Sequence, residues 1–468
     1  MTAQMANHNP DRRNSGSFRD PSGFLFYREG TLYRQVNRCY RDDYERFMSG
    51  GLYKKLTAKK LLIPHQEKDV PFWEEKNGYK VLQPERVPFI SYPYEWSFSQ
   101  LKDAALTTLA IQKMAFQKGL SLKDASAYNI QFSNGKPVFI DTLSFEAYKE
   151  GEPWVAYGQF CRHFLAPLAL MSRTDIRLGQ LLRIHIDGIP LDLAAALLPF
   201  SCRFNMSLYM HIYLHSKSQK RHEGNAAALP QKGHKVSKLG FQGIIESLEK
   251  AVKKLTWKPE GTEWDDYYND TNYSSEGLTH KEEIIRAYIA GLNLTTAWDL
   301  GANDGRFSLL AATQGITTTA FDIDPCAVEK NYLRVKQKNE QQILPLLLDL
   351  TNPSPGLGWD NHERDSFASR GPVDLIMALA LIHHLAISNN LPFFKIAAFL
   401  SPLCHYLILE FVPKNDSQVQ RLLATREDVF PDYTQDAFEK EFSHYFSIIS
   451  ATPIKNSTRT LYLLKKLP

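Results

Sequence analysis

The chain has 468 residues, enough for two or three domains, and its 43% hydrophobic content is sufficient for packed cores. Its 55 basic residues nearly balance its 51 acidic residues, so the net charge of +4 does not by itself indicate nucleic-acid binding. The five cysteines form no C-x-x-C pair, which favours reduced thiols in a cytoplasmic protein over a disulfide framework or a metal site. The longest apolar runs are too short for a membrane span.

Residues 1–20 are polar and contain no apolar run, so we expect a disordered tail rather than a secretion signal. Residues 21–215 are predicted to form the first domain. Within it the sequence predicts a long helix over 98–118, then two short strands joined by a tight turn at Asn134-Gly135. The remainder, 153–215, is predicted to be helical.

Three polar residues mark this predicted domain. Asp124 and Asn129 are spaced as D-x-x-x-x-N, and Asp141 ends the later strand. This arrangement resembles the catalytic core of protein-kinase-like and aminoglycoside-phosphotransferase-like folds. The resemblance implies that Asp124 orients a hydroxyl nucleophile, while Asn129 and Asp141 hold Mg²⁺ against the phosphates of ATP.

The likeness is incomplete, because no Gly-rich loop precedes these residues and Thr-Leu, not Phe-Gly, follows Asp141. We therefore expect a degenerate α+β kinase-like domain that serves recognition. The other interpretation is a helical domain with one polar hairpin. A polar, locally basic linker is predicted over 216–240. An amphipathic helix over 241–256 follows, which could pack on either neighbour; we assign it to a second domain, 241–468, with its core at about 280–468.

The second domain shows alternating strand and helix patterns. A strand over 294–300 is followed by a helix from Phe307 to Thr313. The later predicted elements are strands over 316–323, 343–350, 373–381 and 405–412, helices over 325–338 and 435–446, and an antiparallel pair of 447–454 with 459–465. This alternation predicts a doubly wound, Rossmann-like α/β sheet with right-handed crossovers and a closing antiparallel hairpin.

The first strand of this domain ends in D-x-G-x-x-x-G, formed by Asp299, Gly301 and Gly305. Glycine leaves no Cβ where a turn is tight and a ligand lies against the backbone, and nucleotides bind at this edge of open α/β sheets. The spacing differs from the dinucleotide pattern G-x-G-x-x-G. It resembles motif I of class I S-adenosylmethionine-dependent methyltransferases; the alternative is an ordinary strand-to-helix turn.

The resemblance assigns further cofactor-binding residues. Asp322 ends the second strand, where a carboxylate accepts hydrogen bonds from a ribose diol. Asp349 is expected to meet the exocyclic amine of adenine, and Leu350 to pack against the ring; otherwise Asp349 starts a turn. Asn303 either supplies its side-chain amide to the methionine moiety or tolerates a left-handed turn.

The candidate catalytic residues are His383, His384 and Glu410. They follow the fourth strand or lie near the end of the fifth, at the edge where methyl acceptors bind in this fold. Histidine can take a proton from an acceptor near neutral pH. The alternatives are that one imidazole packs under the cofactor while the other caps the next segment, and that Glu410 closes a turn.

The runs that begin at Trp298, Leu381 and Glu410 are similar to the bacterial NoeA-like nodulation-protein methyltransferases. This resemblance implies transfer of a methyl group from S-adenosylmethionine to an unidentified acceptor, with a small molecule or glycan favoured over nucleic acid. The N-terminal domain would then recognise the acceptor or a partner. The alternative is a kinase-like binding or signalling module whose methyltransferase-like half senses the cofactor without turnover.

Overall fold

The computed structural model describes residues 11–216, 235–261, 273–424 and 427–468. The chain divides into two compact units, Met1–Lys258 with Gly356–Arg364, and Pro259–Pro355 with Asp365–Pro468. Residues 1–10 of the predicted tail and 217–234 of the predicted linker lie outside the described residues. Within the described ranges, no helix combines the length and the apolar character that crossing a membrane requires.

The described part of the first unit contains nine strands. They are β1 (Arg12–Arg13), β2 (Gly23–Arg28), β3 (Thr31–Asn37), β4 (His65–Lys68), β5 (Gly78–Pro84), β6 (Leu120–Leu122), β7 (Ile130–Ser133), β8 (Lys136–Phe139) and β9 (Phe145–Ala147). Five form an antiparallel sheet in the order β1-β2-β3-β5-β4, whereas β6 pairs with β9 and β7 with β8. The unit is thus α+β, as predicted; its kinase likeness stays a prediction.

The first unit also contains helices, most of them short. The α-helices are Arg41–Ser49, Leu52–Ala58, Phe98–Phe116, Tyr157–Phe160, Ala166–Arg173, Leu181–Ile184, Leu191–Leu197, Met206–Leu208 and Lys238–Lys254, and Cys161–Leu165 and Tyr209–Leu214 are π-helical. The predicted long helix begins at Phe98 because Ser97 caps it, accepting a hydrogen bond from the Gln100 amide. The predicted turn at Asn134-Gly135 joins β7 to β8, with φ of 50° and 71° at its two residues.

The structure differs from the predicted domain boundaries at two places. Arg12 and Arg13 pair with β2, and the Arg13 guanidinium lies 3.8 Å from the centre of the Phe24 ring, so this part of the predicted tail belongs to the first sheet. The helix Lys238–Lys254 belongs to the first unit, not the second. Its Phe241 stacks on Phe116 of the long helix, with ring centres 4.8 Å apart.

The second unit contains one seven-stranded sheet in its described residues. The strands are β10 (Thr296–Leu300), β11 (Thr317–Asp322), β12 (Ile343–Leu347), β13 (Val373–Ala378), β14 (Cys404–Phe411), β15 (Phe446–Pro453) and β16 (Thr460–Lys466). Their order is β12-β11-β10-β13-β14-β16-β15; the first five are parallel, and β16 is antiparallel to both neighbours. The predicted doubly wound sheet with its closing hairpin is confirmed.

Helices cover both faces of this sheet. They are Ser275–Ala290, Arg306–Ala312, Pro325–Lys338, Phe393–Leu400, Ser417–Leu423 and Gln435–Phe442. Because both faces are covered, the parallel strands are buried along almost their whole length, including Thr318 and Thr319 of β11. Strand order reverses at β10, which lies between β11 and β13. A crevice at the carboxyl ends of strands is expected at such a reversal, and it is where open α/β sheets bind ligands.

Candidate functional site

A cavity of about 290 Å³ lies at that crevice, beyond the carboxyl ends of β10, β11, β12 and β13. Its walls bring together most of the predicted residues of the second half. Those that line it are Asp299, Gly301, Asn303, Asp322, Asp349, Leu350 and His384. Gly305, His383 and Glu410 are not among the lining residues. The structure therefore groups the predicted cofactor residues and separates two of the three predicted catalytic residues from them.

The turn after β10 needs glycine twice, for two different reasons. Gly301 has a φ of +75° and faces the cavity. Gly305 has a φ of +81° and lies behind the cavity wall, where a Cβ atom would fall 2.5 Å from the side-chain nitrogen of Asn331. Asn303, between them, is also left-handed, at φ 49°. A left-handed backbone is costly for most residues and tolerated by glycine and asparagine.

Asp322 is 8% exposed at the end of β11, and its carboxylate holds the neighbouring loops. The Asn303 amide donates to Oδ2 at 2.7 Å and the Asp324 amide to Oδ1 at 2.9 Å. Burial raises the pKa of Asp322 to about 6. The next helix is capped by Asp324, which accepts from the Cys326 amide at 2.7 Å. Asp322 therefore does not cap it; the Ile323 amide also bonds to its carboxylate, which keeps acceptor capacity for a ligand.

Two further carboxylates face the cavity. Asp299 is 1% exposed, its Oδ2 accepts from the Ser308 hydroxyl at 2.6 Å, and burial raises its pKa to about 6. Asp349 accepts from the amide of Thr351 at 2.8 Å, so it starts a turn as well as lining the cavity. Lys281 also lines the cavity and was missed, because a single lysine in a helix carries no sequence signal.

The two adjacent histidines have different surroundings. His384 lines the cavity and begins the π-helical segment His384–Ser388, a conformation often found at functional sites. His383 is 2% exposed, and its Nδ1 has no hydrogen-bond partner among the described residues. Burial and the charge of Arg459 lower the pKa of His384 to about 4. His384 is therefore neutral at pH 7 and able to accept a proton.

Glu410 lies beneath the cavity in a buried cluster of charges. Its carboxylate is fully buried and meets the Lys281 ammonium at 2.6 Å, the Arg459 guanidinium at 3.5 Å and the hydroxyl of Tyr273. Burial raises its pKa to about 7, and the charge of Arg459 opposes that rise. Because its oxygens face these partners and not the cavity, the geometry favours a structural role for Glu410 over the predicted catalytic role.

The first unit brings its three predicted residues together as well. Asp124 is half-buried, and desolvation together with the nearby charge of Asp141 raises its pKa. The Asn129 amide donates to the Ser144 hydroxyl at 3.3 Å, and that hydroxyl donates to Asp141. Asp141 also pairs with the Arg34 guanidinium at 2.5 Å. The carboxylate predicted to hold Mg²⁺ therefore already has a cationic partner.

No family model matches the chain. The nodulation protein NoeA of Rhizobium meliloti (strain 1021) is 34% identical over 469 aligned positions, which cover 97% of this chain and 96% of that protein. Among solved structures, magnesium protoporphyrin IX methyltransferase (ChlM) from Synechocystis PCC 6803 is 18% identical, with 44% of this chain and 93% of that chain covered and a TM-score of 0.31. The N-methyltransferase NodS from Bradyrhizobium japonicum WM9 is 11% identical, with 44% and 94% covered and a TM-score of 0.32.

Proposed function

The chain belongs to the nodulation protein NoeA family, as its motifs predicted, and we propose that it transfers a methyl group from S-adenosylmethionine to an acceptor. The observation that supports this most is the cavity in which Gly301 exposes backbone beside the Asp322 carboxylate, on neighbouring parallel strands. The acceptor is proposed to be a small molecule or glycan, recognised with the help of the first unit.

The donors and acceptors of the cavity fit that cofactor. Asp322 keeps acceptor capacity for the hydroxyls of a ribose, and Leu350 supplies an apolar contact for an adenine ring beside Asp349. Lys281 and Asp299 offer opposite charges, which suit the carboxylate and the ammonium group of a methionine moiety. The bound sulfonium supplies an activated methyl group, so the main task of these residues is alignment.

His384 is the proposed proton acceptor. It lines the same cavity and is neutral at pH 7, whereas His383 does not line the cavity and Glu410 is paired with Lys281. Its low pKa makes it a weak base, which suffices once the acceptor atom has gained a methyl group and become strongly acidic. Incubation of the full chain with methyl-labelled cofactor and cell extract tests the activity. Label must appear in a discrete product, and at cofactor concentrations below the wild-type Kd it must fall with the Asp322→Ala variant.

Asp322→Ala is expected to weaken the affinity for S-adenosylmethionine by about tenfold to a hundredfold, because charge-assisted bonds to the diol are lost. Calorimetric titration of the full chain measures it. The control is Asp374→Asn at the other end of the sheet, where the carboxylate accepts from the Thr295 amide at 2.8 Å. Asp374→Asn should bind like the wild type. Equal affinities for Asp322→Ala and the wild type would remove Asp322 from the site.

The affinity for S-adenosylmethionine is expected to fall as pH drops below about 6. Buried Asp322 has its pKa raised to about 6, and only the ionised form accepts both diol hydrogen bonds. Cofactor binding therefore lowers this pKa and takes up no proton at neutral pH. Below the pKa the affinity falls by up to about tenfold per pH unit. Titrations at several pH values measure this. Asp322→Asn should give a flatter profile, and an affinity that rises on acidification contradicts the assignment.

We further propose that the kinase-like first unit recognises a ligand without phosphoryl transfer. Asp141 is held by Arg34 and by Ser144, so Mg²⁺ would have to displace a buried ion pair. We expect the full chain not to bind ATP in the presence of Mg²⁺, measured by equilibrium dialysis. Arg34→Gln, which frees the carboxylate, serves as the comparison. Saturable Mg²⁺-dependent ATP binding by the wild type would restore the phosphotransferase interpretation.

A further inference from the structure

A second cavity lies in the first unit, and the charged residues of its lining are the two cations Lys123 and Arg162. His215 lines it as a neutral imidazole, because burial and the charge of Arg162 lower its pKa. Among the described residues, no carboxylate contributes to the lining. The Gln159 side chain connects the cavity to Asp124: its Oε1 accepts from the Ala125 amide at 2.7 Å, and its amide group hydrogen-bonds the Asp124 carboxylate. Gln159 therefore links the lining of this cavity to Asp124.

Arg162 is the central cation of this cavity. It is half-buried, and in the described part of the chain no carboxylate forms an ion pair with it. Other arginines of this unit have such partners, since Arg34 pairs with Asp141 and Arg177 with Asp175. Removing a guanidinium from water without a counter-ion is costly, and its planar fork matches the oxygens of an anion.

The walls of the cavity hold their side chains in fixed positions. The Tyr157 hydroxyl is hydrogen-bonded to Nδ1 of His211 at 2.8 Å, and Nε2 of His211 to the Ser247 hydroxyl at 2.9 Å. The ring of Tyr157 stacks on His215 with centres 4.8 Å apart. Preorganised side chains of this kind lower the entropy that a ligand must overcome on binding.

The side chains of Arg162 and His215 both pack against Gly158, which has no side chain to keep them apart. A Cβ atom at Gly158 would lie 3.5 Å from Nη1 of Arg162 and 3.2 Å from Cε1 of His215. The two segments that supply them are π-helical, Cys161–Leu165 around Arg162 and Tyr209–Leu214 just before His215. π-Helical turns are rare and occur frequently at functional sites. Both therefore mark the same cavity.

We propose that this cavity binds the oxyanion group of a small molecule, a phosphate or a carboxylate, with Arg162 as its principal ligand. Lys123 is the second cation; it also donates to the Ser22 hydroxyl at 2.6 Å and lies 3.7 Å from Asp20. The inference concerns the first unit alone and does not depend on methyl transfer.

Calorimetric titration of the full chain with inorganic phosphate, and separately with acetate, tests this. At least one anion should bind saturably with a Kd on the order of 1 mM. Arg162→Gln should weaken that binding about tenfold or more, because a bidentate charged contact is lost. The matched control is Arg177→Gln, since Arg177 is exposed and already paired with Asp175 at 2.7 Å; its affinity should equal that of the wild type.

The two anions distinguish the chemistry of the ligand. Preference for phosphate indicates a phosphorylated small molecule, and preference for acetate indicates a carboxylated one. Saturable binding of neither anion to the wild type, or equal affinities for the wild type and Arg162→Gln, overturns the proposal. Arg162→Gln must still bind S-adenosylmethionine like the wild type, which separates loss of this site from misfolding and from failure of the proposed methyl transfer.

Discussion

His384→Ala is expected to lower the rate of methyl transfer by about a hundredfold or more while the affinity for S-adenosylmethionine stays close to that of the wild type. The imidazole lines the cavity, and its pKa is lowered to about 4, so it is ready to take a proton over the whole neutral range. Removing it leaves the glycine turn and Asp322 in place. The rate at which label from the cofactor enters its product in cell extract measures the effect.

Two comparisons separate proton transfer from packing. His384→Gln keeps a hydrogen-bonding group of similar size but cannot be protonated, so it should lose as much rate as His384→Ala. Ser388→Ala alters another lining residue of the same π-helical segment and should retain most of the rate. At saturating cofactor the wild-type rate should fall only as pH approaches about 4, the pKa of His384. Full activity of His384→Gln would show that the acceptor loses its proton to solvent.

The predictable parts of the site are those set by local chain geometry. Gly301, Asp322 and Asp349 follow consecutive parallel strands, and the ends of such strands meet at one edge of the sheet. A strand boundary placed correctly in the sequence therefore places the side chain in the cavity. For the same reason the strands β10 to β14 and the closing hairpin could be predicted from their apolar and β-branched residues.

The parts that could not be predicted depend on partners far away in the chain. Glu410 lies near the end of a strand, as a site residue does. Its carboxylate is nevertheless taken up by Lys281, 129 positions earlier in the chain, and by Arg459, 49 positions later. The amphipathic stripe of Lys238–Lys254 shows one apolar face and does not say that Phe116 covers it. Likewise, His383 and His384 are neighbours in one short motif, and the motif alone does not say which of them lines the cavity. In the structure it is His384, the first residue of the π-helical segment.

Glu410→Ala is expected to reduce the stability of the second unit by about 3–5 kcal/mol, because it leaves a buried ammonium without its counter-ion. Lys281 is 2% exposed, and burial and the charge of Arg459 lower its pKa well below the usual range, so its charged form depends on the Glu410 carboxylate. Arg459 keeps a second partner, Asp416 at 2.7 Å. Hydrogen exchange of the β14 and β16 amides in the full chain measures the free energy of local opening.

Removal of both charges distinguishes a structural carboxylate from a catalytic one. Glu410→Leu combined with Lys281→Met should recover much of the stability lost in Glu410→Ala, since replacing a buried ion pair with apolar side chains is often neutral. Lys414→Ala is the control, because its pair with Asp428 at 2.8 Å is on the surface and contributes little. Unchanged stability in Glu410→Ala, together with abolished methyl transfer, would place Glu410 in catalysis. We expect instead that Glu410→Ala lowers stability, because the ion pairs of Glu410 with Lys281 and Arg459 hold the helix Ser275–Ala290 against the sheet.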